Sequence, residues 1–346
     1  MSARLAVSIG CPCGIGPEVS VAAAAVEKRA RVLLVGDAAA IGVAAKGRGV
    51  PAGRLSPVSD PVAAWSLPRG QIGVWQPTGA LASRDRAFGR PTARSGGAQL
   101  AWVDAACDLV ARGDADALVT GPVSKEAIAR SPSPAARVFL GHTEHLQRRL
   151  RAREVVMAFW SPALVTSLAT THVALARVAR AVTPVLVSRA AYWLAWLLAR
   201  LADTSRGLPR RPPRVAVAAL NPHAGEGGLL GAEERTRIAP GIASARKRLA
   251  ASHIEATIDG PIPAESAFRL ALARQWDGVV AMYHDQATIP MKLTEFGDAV
   301  NVSLGLPIVR TSVDHGTGYD RAGTFTADER GMRAAMRLAG RLIGSR

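Results

Sequence analysis

Residues 154–177 read EVVMAFWSPALVTSLATTHVALAR, and the fold turns on whether this stretch is one helix or two strands. Twenty-two uncharged residues separate Glu154 from Arg177, which by length alone would span a membrane. The Ser161-Pro162 dipeptide interrupts the run, and Thr166, Ser167, Thr170, Thr171 and His172 break its apolar character. The two flanking runs, VVMAFW and LVTSLATT, are rich in β-branched and aromatic residues and meet at a turn signal. They predict two buried strands, because strands covered on both faces read as unbroken apolar runs. No transmembrane segment is expected.

Outward from this stretch, similar runs alternate with alanine-rich amphipathic segments along most of the 346 residues. Strands are expected at 5–10, 31–36, 116–121, 154–159, 164–170, 214–220 and 278–284, with one more inside 300–312. Helices are expected over 17–28, 94–112, 186–204, 232–250 and 328–344, with Pro- and Gly-rich insertions or boundaries at 51–92 and 205–213. That alternation predicts an α/β fold with a mostly parallel sheet. The length suits two domains or one large α/β chain, ample for a core without staples. Hydrophobic residues at 49% and charged residues at 20% exclude a disordered chain. Three cysteines, Cys11, Cys13 and Cys107, exclude a disulfide scaffold and point to a reducing compartment. The opening MSARLAVSIGCPCG lacks a signal peptide's apolar region and cleavage site, so a cytoplasmic location is expected.

A formal charge of +16 raises nucleic acid as a partner. Its distribution argues otherwise. Only five of the 43 basic residues are lysines, and the arginines are scattered along helices without interleaved aromatics. They read as solvated helix faces that still favour an anionic substrate. No nucleic-acid partner is expected.

Several apolar runs end abruptly in chemically capable residues: LVTGPVSK, LATTH, AALNPH and AMYHDQ. Ligands of open α/β sheets bind beyond the carboxyl ends of strands, so these tips are candidates for one site. His172, His223 and His284 each sit at such a tip, 51 and 61 residues apart, without any local ligand motif. Three imidazoles would suit zinc, cobalt or another divalent ion with positions left open for substrate. Hydrogen-bonded histidines lining a cleft are the blander alternative. His142 and His145 form an HxxH pair that reads as ordinary, and the Cys11-Pro-Cys13 pair reads as two small residues in a tight turn. GCPCGIGPE places glycines at a strand end and Pro17 at a first helical position, where backbone N–H groups can face an anion. Lys292, Asn301 and Arg310 interrupt apolar runs close to His284, and Lys and Arg suit phosphate or carboxylate.

The ordered motifs GIGPE, TGPVSK, GHTEHL, TTHVALARV, NPHAGEGGLLGAEE, GPIPAES, YHDQ and NVSLGLPIVRTSVDHGT cover nearly the whole chain. Together they closely resemble the 4-hydroxythreonine-4-phosphate dehydrogenase family of pyridoxal phosphate biosynthesis. The resemblance implies an isocitrate/isopropylmalate-dehydrogenase-like fold, two α/β/α lobes with mostly parallel sheets flanking a central cleft. The implied lobes are 1–128 plus 300–346 on the nucleotide side, and 129–299 on the metal and dimer side. It implies a homodimer whose metal site is shared between subunits, with one divalent cation (Zn, Mg or Co) on His172, His223 and His284. Substrate contacts carry over to His142, Thr143, Lys292, Asn301 and Arg310. DHGTGYDRAG is similar to the HGSAPDIAG nucleotide loop of the wider dehydrogenase fold, which puts Asp314, His315, Gly316, Thr317 and Gly323 near NAD or NADP.

The implied reaction oxidises the secondary alcohol of 4-phosphohydroxy-L-threonine with NAD(P)+ and then releases CO2, giving 3-amino-2-oxopropyl phosphate. Asp285 is expected to orient a ligand histidine or accept a proton, and Lys292 to act beside it. Four departures bear on substrate identity: Cys11 where the family has Asp, Glu265 for Asp, Ala287 for Gly, and Arg321 for an apolar residue. Relatives within the family act on 4-phosphothreonate, 4-phosphoerythronate or aromatic cis-dihydrodiol carboxylates. A phosphotransacetylase-like acyltransferase would share the broad architecture without needing three histidines.

Overall fold

The computed structural model describes residues 2–203, 211–295 and 297–344. Its twelve strands are β1 (Ala3–Ser8), β2 (Ala30–Val35), β3 (Leu55–Pro57), β4 (Ile72–Trp75), β5 (Ala117–Thr120) and β6 (Val156–Trp160), then β7 (Val165–Leu168), β8 (Arg214–Ala218), β9 (Thr257–Ile262), β10 (Gly278–Ala281), β11 (Val300–Leu304) and β12 (Val309–Val313). The chain forms two compact units, one running to Arg153 and including Leu306–Gly344, the other Glu154–Gly305.

In the first unit the strand order is β3-β4-β2-β1-β5-β12, and every pairing is parallel. Leu5, Val7, Leu33, Leu34 and Leu118 are fully buried, as strands covered on both faces require. The helix Ala93–Ala111 starts from a reciprocal cap between Thr92 and Ser95 and buries Trp102, whose indole donates to Thr78 Oγ1 at 2.9 Å.

In the second unit the order is β11-β6-β7-β10-β8-β9, with β6 antiparallel to both β11 and β7 and the remaining pairs parallel. The 154–177 stretch is therefore two strands, as its turn signal predicts. Ser161 closes the hairpin: its backbone N–H and hydroxyl both donate to Leu164 O, at 2.9 and 3.0 Å. Among the described residues, one helix is long and apolar enough to cross a membrane, and it lies elsewhere, at Pro184–Ala202. It buries Val187, Ala190, Ala191, Leu194, Ala195 and Leu197. Its Leu194 and Leu198 press on the Gly278 position of β10, and Ser167 on β7 donates to Ala190 O at 2.9 Å. Covering one sheet face with such side chains stabilises the unit by roughly 1.5–3 kcal/mol for each large one.

Several boundaries differ from the sequence reading. Residues 129–153 belong with the first unit, because His145 Nε2 meets Asp104 Oδ1 and Arg149 Nη2 meets Asp108 Oδ2, both at 2.6 Å, binding the helix His142–Arg149 to Ala93–Ala111. Residues 300–305 belong with the second, because β11 pairs with β6. The single strand expected in 300–312 is two, separated by Gly305 at φ +89°. Strands β3 and β4 lie inside the proline-rich stretch read as loop, and β9 also went unread, being polar and mostly exposed. The expected boundary at 205–213 falls largely outside the described residues.

Candidate active site

Parallel pairing in the order β7-β10-β8 sets three strand tips side by side. A chain of hydrogen bonds crosses them. The Thr170 hydroxyl beyond β7 donates to Met282 O at 2.6 Å. Met282 N–H donates to Gln286 Oε1 at 2.6 Å, and Gln286 Nε2 donates to Ala219 O beyond β8 at 2.9 Å. Each tip then delivers one histidine: His172 after Thr170, His284 after Met282, and His223 after Ala219. The His172 and His284 rings lie 5.5 Å apart between centroids, tilted by 39°. His284 Nδ1 contacts Asp285 Oδ1 at 2.7 Å. With Nδ1–H on that carboxylate, Nε2 keeps its lone pair, as in a histidine oriented by a carboxylate.

These imidazoles fit a borderline divalent cation by donor chemistry. Among the described residues, no three His, Cys, Asp or Glu side chains of one chain converge as a closed ligand group. His223 is exposed, in a left-handed turn at φ +52°. Lys292 is exposed on the helix His284–Thr294, and Asn301 is half-buried on β11.

The first unit holds the other anion-binding candidates. Arg310 on β12 is 2% exposed, and its Nη2 donates to Thr120 Oγ1, at the tip of β5, at 2.6 Å. Burial pushes its guanidinium down to about 9, opposed by the Glu144 carboxylate. His142 opens the helix His142–Arg149, with Phe139 packed edge-on against its ring. Burial, with the charges of Arg310 and Lys125 in reach, holds it well below the usual histidine range, so it is a neutral imidazole. Its Nε2 is buried without a protein partner. A buried polar atom of that kind is poised for a ligand hydroxyl. Thr143 beside it is also buried.

The 314–323 segment is clamped to the first turn of the chain. Ile15 N–H donates to Thr317 O at 2.9 Å, Gly323 N–H donates to Glu18 Oε1 at 2.7 Å, and Cys11 Sγ stands 3.5 Å from the Tyr319 hydroxyl. Gly10, at φ +75°, lets the β1 tip touch β5: a Cβ there would stand 2.3 Å from Pro122 O. Contact with the Cys13 thiol draws Cys11 down to about 7 against its burial, with help from Tyr319. The phenol of Tyr319 is pushed up by its own burial and by Cys11. Asp314 and Thr317 are half-buried, His315 is exposed, and open space faces Gly316 where a side chain would be.

Sequence reading missed Gln286, Glu234, Thr120 and Tyr319. Gln286 and Glu234 stand inside quoted motifs, YHDQ and GAEE, yet nothing local marks them as ties between strand tips.

Parallel strand tips that carry imidazoles and an amide are where α/β enzymes bind their ligands. The family model described as "Pyridoxal phosphate biosynthetic protein PdxA" matches residues 28–339, and the chain belongs to that family. It is an oxidoreductase with the two-unit α/β fold that the sequence motifs imply. A 4-hydroxythreonine-4-phosphate dehydrogenase of Geobacter metallireducens is 41% identical over 97% of this chain and 94% of that protein. The crystal structure of the same enzyme from Klebsiella pneumoniae, 30% identical, covers 99% of this chain and 100% of that one with a TM-score of 0.80. A terephthalate 1,2-cis-dihydrodiol dehydrogenase from Burkholderia xenovorans, 29% identical, gives a TM-score of 0.66 with 98% of both chains covered.

Proposed function

We propose that this chain oxidises 4-phosphohydroxy-L-threonine with NAD(P)+ and then releases CO2, giving 3-amino-2-oxopropyl phosphate. The observation that carries the reading is the set of three imidazoles delivered by adjacent, hydrogen-bonded strand tips, in a chain whose relatives are named for that substrate. His172, His223 and His284 would hold a divalent cation of the zinc, magnesium or cobalt kind. When bound, such an ion lowers the pKa of the substrate hydroxyl and polarises the carbonyl that replaces it.

The chain's own groups do the rest. Asp285, 2.7 Å from His284 Nδ1, would fix the orientation of that ring and receive a proton released there. Neutral His142 and Thr143 would hold one end of the substrate. Lys292, Asn301 and Arg310 would hold its phosphate and carboxylate, and Lys292 would also move a proton. Asp314, His315, Gly316, Thr317 and Gly323 would position the nicotinamide dinucleotide, which supplies the redox chemistry.

A homodimer with a metal site shared between subunits accords with the ligand geometry of one chain. It also accords with the exposed apolar side chains that follow each histidine: Leu175 after His172, Leu229 and Leu230 after His223, Ile289 and Leu293 after His284. The reducing chemistry of three free, buried cysteines accords with a cytoplasmic site of action.

Cys11 favours a second reading, since an acceptor that could pair with a substrate ammonium is replaced by a thiol. In that case the substrate is an amine-free relative such as 4-phosphothreonate, 4-phosphoerythronate or an aromatic cis-dihydrodiol carboxylate. The test is NAD(P)+ reduction by the purified protein on these substrates and on 4-phosphohydroxy-L-threonine in parallel. The proposal requires the highest kcat/KM on the last of these. A preference for an amine-free substrate would transfer the assignment to the second reading.

A further inference from the structure

The segment His223–Gly228 has positive φ at all six residues, from +43° at Glu226 to +108° at Gly228. Consecutive left-handed residues are unfavourable for L-amino acids, and His223, Ala224 and Glu226 carry side chains. Something outside the turn must hold it. Gly225 Cα is packed so closely that a Cβ there would stand 2.8 Å from Glu234 Oε2.

Glu234 is 6% exposed and spends both carboxylate oxygens on the base of this turn. Its Oε1 accepts from Leu220 N–H at 3.0 Å and Asn221 N–H at 2.7 Å, and its Oε2 accepts from Asn221 Nδ2 at 3.0 Å. Glu233 takes the other Asn221 amide hydrogen at 2.9 Å. Glu234 opens a π-helical turn, Glu234–Ile238, and such widened turns recur where a helix must aim a side chain at a working site. Leu220 and Asn221 are the two residues that join the Gln286-bound tip of β8 to Pro222 and His223.

We infer that Glu234 is the positioning residue for His223, holding the turn in the conformation in which that imidazole serves as a cation ligand. This rests on the reading of His223 as a ligand. A buried carboxylate satisfied by two backbone N–H groups and an amide acts as a fixed anchor, and removing it leaves three donors unpaired beside a strained segment.

The experiment titrates Co2+ into the full-length metal-free protein, following the visible absorption of the bound ion, with hydrogen exchange measured at Leu220 and Asn221. Glu234→Ala is expected to weaken Co2+ binding about 10–100-fold and to lose protection at both amides. Glu234→Gln keeps one oxygen acceptor for both backbone donors but turns an amide nitrogen toward Asn221 Nδ2, so it is expected to retain protection at both amides with Co2+ affinity between the wild type and Glu234→Ala. Should Glu234→Ala not fold, Glu234→Asp takes its place, with a carboxylate too short to reach both donors. His223→Ala reports on the underlying reading and is expected to lose Co2+ without losing amide protection. Wild-type Co2+ affinity in Glu234→Ala, or in Glu234→Asp where it takes its place, with binding lost in His223→Ala, overturns the positioning role alone. Wild-type affinity in His223→Ala overturns the ligand reading and the positioning role with it.

Discussion

Replacing Arg310 by methionine is expected to cut kcat/KM for a phosphorylated substrate by roughly 10–150-fold, the equivalent of ~1.5–3 kcal/mol for one charge-assisted contact. Methionine fills the buried space without the cavity that alanine would leave. The guanidinium is held rigidly by Thr120 Oγ1 at 2.6 Å, whose backbone carbonyl accepts from the Ser312 hydroxyl at 3.1 Å. Little side-chain entropy is therefore lost on binding, so most of the contact should appear as affinity. Arg310→Lys keeps charge but loses the planar fork, and is expected to fall between the wild type and methionine. Initial rates of NAD(P)H formation at 340 nm, with inorganic phosphate as competitive inhibitor, separate the effect on phosphate from a general loss of activity. If both variants retain kcat/KM within about threefold while remaining folded, another group holds the anion and Arg310 is a core residue.

His142 is held neutral by burial, so its folded value lies below the unfolded ~6.5. It therefore contributes stability above about pH 6.5 that is lost as pH falls toward the folded value, and His142→Gln should flatten that part of a urea-denaturation profile. Burial disfavours the Glu154 carboxylate, but Arg248, the Trp193 indole at 2.7 Å and Arg189 at 2.9 Å outweigh it and hold the carboxyl below its usual range. Its stability is present above the unfolded value of ~4.3 and lost as pH falls through the folded one; Glu154→Gln should cost about 1–3 kcal/mol at pH 7 and little in acid. Cys11→Asp should leave kcat/KM unchanged or raised for the amine-bearing substrate and lower it for an amine-free hydroxy acid; a uniform shift would remove this turn from specificity.

The parallel core was legible because burial on both faces leaves a mark in the sequence. The runs at β1, β2, β5, β8 and β10 are apolar without alternation and stop at polar residues. Two of the strands that escaped notice lack that mark, while β4, apolar and buried, is only four residues long within a proline- and glycine-rich stretch. β3 and β9 are edge strands with only partly buried side chains, and β3 ends in Pro57. Proline is tolerated at a sheet edge because no neighbour needs its N–H. The helix His142–Arg149 was legible only as an HxxH pair, since its assignment to the first unit depends on Asp104 and Asp108, some 41 residues earlier.

The candidate site divides along the same physical line. The groups proposed to meet a ligand interrupt apolar runs: His172, His223 and His284 stand beyond strand ends, and Arg310 stands within β12. Groups that hold those residues in place answer to partners distant along the chain. Thr120 meets Arg310 across 190 residues, Cys11 meets Tyr319 across 308, and Gln286 reaches Ala219 across 67. None of these pairs has a spacing that helix or strand periodicity could reveal. Glu234 is the sharper case: only 13 residues from Asn221, it lies beyond a glycine-rich turn whose left-handed path no propensity anticipates. Once the turn is seen, a buried glutamate facing two backbone N–H groups has one physical use, which is to fix the segment that carries His223.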